Sequence, residues 1–219
     1  MKEIPGLLYD EVNGTPTIDS ENSLYMIPFW KTEEYFSNID SRTKFITNVK
    51  QKVRTSERYS AYKKYLIEKI GLDHCAVHKN ITVQDVDLEM HHGPIFTLED
   101  YINIVINYFL IKKWKITTLI IASQVLKEHE DNMIQVVMLS PTAHEEVEAR
   151  NVFIHPNQAW GRLDLFIKKY KDAIGLDLRE KYNRYIDRCM MSESDDYGLF
   201  KLNSQLWEKK ETTTGWDEI

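Results

Sequence analysis

The sequence predicts an α+β chain, mostly helical, built around a ββα unit whose two strands are separated by a two-helix insertion. Three observations predict it. Val86, Leu88 and Met90 alternate with Asp85, Asp87 and Glu89, the period-two pattern of a strand with one buried face. Residues 134–139 form a second, compact β-type run, and Ser140-Pro141 directly after it supplies an N-cap and a proline at the first helical position. Between the two runs, residues 98–129 are rich in Ile, Val, Tyr, Phe and Leu over a length that fits two helices.

Taken in order, residues 1–40 read as an irregular arm. Asn13-Gly14 is the expected turn of a small hairpin, and Pro5, Pro16 and Pro28 argue against helix. Residues 43–70 read as two helices, with Thr55 or Ser56 starting the second and Gly71 ending it. A strand over 81–90 follows. Thr97 and Asp100 form a Thr-x-x-Asp variant of the capping box, so a helix is expected from about 98 to 111 and another from about 116 to 129. After the strand at 134–139, the Ser140-Pro141 helix carries His144 in its opening turn and Glu148 one turn on. Val152-Phe153-Ile154 reads as a short strand. Helices near 158–174 and 177–191 close the folded part, separated by Gly175. Residues 192–219 are polar and acidic, with isolated Trp207 and Trp216; such a tail is expected to order only against a partner or its own body. The domain expectation is therefore an arm (1–40), one α+β domain (41–191) containing the ββα unit at 81–150, and a tail (192–219).

Composition narrows the function classes. At 219 residues and 42% hydrophobic, the chain is long enough for one large domain with appendages. Two cysteines, Cys75 and Cys189, are too few for a disulfide framework or a four-cysteine zinc ribbon. Met1 to Pro5 leads straight into polar sequence, so no secretory leader is expected. The apolar stretch 101–122 is cut by Lys112, Lys113 and Lys115, which argues against a membrane span. A reducing intracellular setting, or a particle assembled in one, is expected. The net charge of −6 argues against coating nucleic acid by bulk charge. Residues 42–69 nevertheless hold nine Lys or Arg against Glu57 and Glu68, with Tyr59, Tyr62 and Tyr65 interleaved. Lys50, Lys52, Arg54, Arg58, Lys63 and Lys64 are thus candidate nucleic-acid contacts. On charge pattern alone, a solvated helical face is the favoured reading.

The chemistry-bearing constellation is His91-His92 at the end of the first β-run together with His144 and Glu148. The last two stand at i and i+4, on one helix face. Imidazoles and a carboxylate converging from a strand and a helix suit a divalent ion, with one histidine left as a base. The segments Asp87-Leu88-Glu89-Met90-His91-His92 and Val136-Val137-Met138-Leu139-Ser140-Pro141-Thr142-Ala143-His144 resemble the HNH, or ββα-metal, nucleases, particularly phage-encoded ones, over about 25 residues in two blocks. The resemblance implies a metal-dependent DNA endonuclease in the infected bacterial cytoplasm. It implies His91, His144 and Glu148 as metal ligands, His92 as general base, and Asn132 or Gln135 as the amide that pins the base's loop. With Glu148 where other members carry a second histidine, Mg²⁺ or Mn²⁺ is favoured over Zn²⁺. The competing reading is a non-catalytic phage structural or adaptor protein on an HNH-derived scaffold, virion-associated and engaging a phage protein through its tail. The acidic charge, Glu148, the long insertion and the two tail tryptophans favour it.

Adjacent histidines are commonly ordinary loop residues, and His92 continues the apolar phase of Val86, Leu88 and Met90, as a buried core histidine would. Cys75-x-x-His78 lacks a second ligand pair, and Cys75 reads as core. His129, in the charged stretch 127–131, reads as solvated, and His155-Pro156 as a turn. The stripe Ile102, Val105, Ile106, Phe109 and Leu110 reads as core. No phosphate-cradling glycine loop and no nucleophile elbow occur.

Overall fold

Five α-helix starts among the described residues are set by short side-chain caps. The structure, a computed structural model, describes residues 7–9, 16–18 and 30–190. Asn38 caps α2 (Ile39–Arg54), which follows the short α1 (Glu33–Ser37). Ser56 caps α3 (Glu57–Tyr65) by accepting from the Tyr59 amide at 3.2 Å, so Ser56 rather than Thr55 is the start. Gly71, at φ +85°, ends the π-helical turn Leu66–Ile70 that continues α3. The Thr97–Asp100 capping box opens α4 (Leu98–Ile111). Thr117 caps α5 (Thr118–Glu130), two residues later than expected.

In the arm, β1 (Leu7–Tyr9) pairs antiparallel with β2 (Pro16–Ile18). The Asn13-Gly14 turn between them lies outside the described residues, as do Trp207, Trp216 and the rest of 191–219.

The second sheet positions the histidines. β3 (Glu89–His92) pairs antiparallel with β4 (Val136–Leu139), His91 opposite Val137 and His92 opposite Val136. The strand is shorter than the expected 81–90. Asp85 folds back to accept from the Thr82 amide at 2.8 Å and its hydroxyl at 2.9 Å, a local turn that competes with extended backbone. The alternation survives: Leu88, Met90 and His92 are buried while Asp87 and Glu89 are exposed. All four β4 residues are buried, and the far edge of β4 is paired in turn, Val136 and Trp160 exchanging two backbone hydrogen bonds of 2.8 Å. Residues 152–154 form no strand.

Ser140 then caps α6 (Pro141–Glu148), with Pro141 at the expected position. α6 packs on both strands, so the ββα order is present, with α4 and α5 inserted between its strands. α7 (Leu163–Tyr170) and α8 (Leu176–Met190) close the described body. The core is helical. α2 packs on α4 and α5 and buries Phe45, Val49 and Val53, spaced by four. α4 buries Ile102, Val105, Ile106 and Phe109, with Leu110 half-buried. Cys75 is buried, as expected. Among the described residues no helix is long and apolar enough to cross a membrane.

Gly161 is required for the Trp160–Val136 pairing. Its φ is +126°, and a Cβ there would stand 2.3 Å from the Ile134 carbonyl oxygen. Gly161→Ala is expected to cost roughly 2–4 kcal/mol, because strain adds to a backbone clash. A urea titration checks it, and an unchanged midpoint would show that the close approach is not needed.

Candidate functional site

The pleat of β3 sends its side chains to opposite sides. Glu89 and His91 face outward beside α6, while Met90 and His92 face the core. The two adjacent histidines therefore belong to two different environments.

On the outer side, His144 rises from the first turn of α6 and is held between two carboxylates. Its Nδ1 contacts Glu89 Oε2, and its Nε2 lies 3.4 Å from Glu148 Oε1. The His91 ring meets the His144 ring edge-on, centroids 4.9 Å apart. Burial first, and His144 next, push the His91 imidazole down to about 4. His91, His144 and Glu148 thus share one face, and Glu89 joins them. Glu89 was missed in sequence reasoning, although its position two residues before His91 in a period-two run places it on the same side. Among the described residues no group of three or more His, Cys, Asp or Glu side chains has an arrangement that holds a metal ion.

On the inner side, His92 is 5% exposed and His129 fully buried. Their Nε2 atoms are 2.9 Å apart, and His129 Nδ1 is 2.8 Å from the Val125 carbonyl oxygen. That oxygen only accepts, so His129 carries its proton on Nδ1, and its Nε2 accepts from His92 Nε2–H. Tyr59 stacks on His92 at 6.0 Å, and Tyr62 stands edge-on to His129 at 5.5 Å. Burial above all, then His129, Arg54, His91 and Lys50, hold the His92 imidazole well below its ordinary value. Burial lowers His129 to about 4, outweighing its Val125 bond and Glu130. His92 therefore faces another imidazole rather than open space. His129, expected in solvent, is core. It sits four residues after buried Val125 and eight after buried Ile121 on α5, and that spacing was the available signal.

Neighbouring predicted residues act as brackets. Asn132, at φ +55°, accepts through Oδ1 from Trp160 Nε1 at 3.0 Å and from the Tyr62 hydroxyl at 3.3 Å. Its carbonyl accepts from the Arg162 amide at 2.6 Å. Gln135 is buried, and its backbone N–H donates to the Tyr101 hydroxyl at 3.1 Å. His155 caps the short helix Pro156–Gln158. In the basic stretch, Lys50 pairs with Glu99, Arg58 with Glu130, Lys63 with Asp87 and Lys64 with Glu68. Four of the six candidate nucleic-acid contacts are thus ion-paired within the fold, leaving Lys52 and Arg54 of the six without an ion pair among the described residues.

Fold and site together define a mostly helical α+β protein with a small antiparallel sheet, whose imidazoles are engaged with one another and with carboxylates. The family model described as Bacteriophage G278-like virion protein matches residues 10–216, and the chain belongs to that family. No curated protein and no solved structure matches. The match corrects the sequence reading. The HNH resemblance, and with it the nuclease, hydrolase, metal-binding and DNA-binding expectations, is overturned by a virion-protein family spanning nearly the whole chain, where the resemblance covered two short blocks. Short blocks of histidine after a β-run arise readily without the chemistry. Membership in a virion-protein family fits association with the phage particle and with phage protein partners.

Proposed function

We propose that the chain is a non-catalytic structural or adaptor component of the phage particle, holding other phage proteins through surface contacts. The family match over residues 10–216 carries this reading. The site geometry agrees with it: the imidazole that would act as a base donates instead to a second buried imidazole, where water has little access. Pairing of the basic stretch with carboxylates on other elements supports a scaffold rather than a phosphate-binding face. The acidic segment 192–219 keeps the role its composition suggests, contact with a protein partner.

Intact particles purified on a density gradient test this. The chain is expected to co-band with the other virion proteins in constant proportion, before and after nuclease treatment. Infectious particles that lack it would overturn the reading.

A further inference from the structure

One corner of the fold is apolar and, among the described residues, uncompensated in charge. Lys31 pairs with Ile116 through an amide-to-carbonyl hydrogen bond of 2.7 Å, which brings the 30–31 segment against the α4–α5 connection. Trp30 is 40% exposed there, Trp114 53% and Ile111 52%. Leu119, in the first turn of α5, is 69% exposed. The sequence from 101 to 127 contains no Asp or Glu. Lys31, Lys112, Lys113 and Lys115 have no ion-pair partner among the described residues, whereas four of the nine basic residues at 42–69 are paired. Lys115 instead lies over the Trp30 ring at 4.6 Å, and Lys112 over Tyr108 at 5.5 Å. Exposed indoles with unpaired lysines around them are the composition of a binding patch rather than a solvated face.

The complementary chemistry is in the same chain. Residues 192–219 hold seven acidic against three basic residues, together with Leu199, Phe200, Trp207 and Trp216. We propose that this corner receives the acidic segment 192–219 of a second copy of the chain. The segment starts at the far end of α4 from this corner. α8 runs back along α4, with Lys181 bound to Asp100 in the first turn of α4 and Arg188 over Phe153. The chain therefore leaves α8 at least the length of α4 from Ile111, roughly 20 Å at 1.5 Å per residue. The 28 residues of 192–219 also span that gap within one copy, so the concentration dependence of association separates contact between copies from folding back. The inference deepens the reading of a structural subunit, and rests on it, by naming one of its contacts.

The test uses the full chain, its mass followed by sedimentation velocity against concentration. The natural protein is expected to associate as concentration rises, and less so at high salt. Corner reversal (K112E/K113E/K115E) and segment reversal (D195K/D196K/D217K/E218K) should each give a monomer. Mixing the two variants should restore association, because each then offers the other an opposite charge. Trp114→Ala should weaken association roughly tenfold. A synthetic 192–219 peptide should dissolve the assembly. Segment reversal leaves the body unchanged, so it and the peptide decide the matter even if the corner variant misfolds. A natural chain that stays monomeric would overturn the inference. So would a segment-reversed chain that associates like the natural one, folded variants that fail to associate on mixing, or an assembly dissolved by a 1–29 peptide or an oligonucleotide but not by 192–219. A monomer that still co-bands with particles would leave the structural reading standing.

Discussion

Between pH 6.5 and pH 4.5 the protein is expected to lose several kcal/mol of stability, most of it at the His92–His129 pair. An unfolded histidine titrates near 6.5. Folded His129 is lowered to about 4 and His92 lies well below its ordinary value, both through burial. The unfolded chain therefore binds more protons in this window, and stability rises with pH. The contribution is complete above 6.5, where both states are neutral, and is lost as pH falls towards 4. From His129 alone the full loss is about 3 kcal/mol, a large share of the roughly 5–15 kcal/mol that holds a domain together. Carboxylates begin to titrate at the lower end of this window, so the comparison with a variant lacking His92 and His129 separates the imidazole share from theirs. Urea midpoints at the two pH values measure the effect. Replacing both histidines with leucine should remove most of the dependence and leave the share of His91, itself lowered to about 4. Equal midpoints in the natural protein would show that the pair does not stay neutral in the fold.

The second large effect is expected at Glu128, whose side chain has no exposed surface. Its Oε1 accepts from Lys169 Nζ at 2.6 Å, from the Tyr170 hydroxyl at 2.8 Å, and from Gln124. Its Oε2 is buried with no partner among the described residues. Lys169→Met strands a buried carboxylate and should cost about 3–5 kcal/mol. Adding Glu128→Gln removes the stranded charge, so the double variant should recover much of that loss. Calorimetry on the natural chain, both single variants and the double variant closes the cycle. Strictly additive losses would mean that the pair does not interact in the way its geometry indicates.

Membership of a virion-protein family also bears on how far short motifs carry function. The local placement behind the HNH resemblance was sound: β3 pairs with β4, α6 starts at Ser140-Pro141, and His91 does meet His144. Function did not follow, because the family match rests on residues 10–216 and the resemblance on two blocks.

The sequence by itself determined where elements begin and which way they face. Ser56, Thr97 and Ser140 start helices because a side-chain oxygen one step before a helix satisfies an amide within three residues. The alternation from Asp87 to His92 determined which face is buried, since a strand has a period of two. Only the tertiary structure decided what those faces meet. His92 found His129 across 37 residues, and Arg58 found Glu130 across 72. Glu128 went inside because Lys169 and Tyr170 arrived from α7. Periodicity reports a direction over a few residues. Desolvation and hydrogen-bond partnership are set by whichever distant group packs there, and they decide whether a histidine or a lysine is free to act.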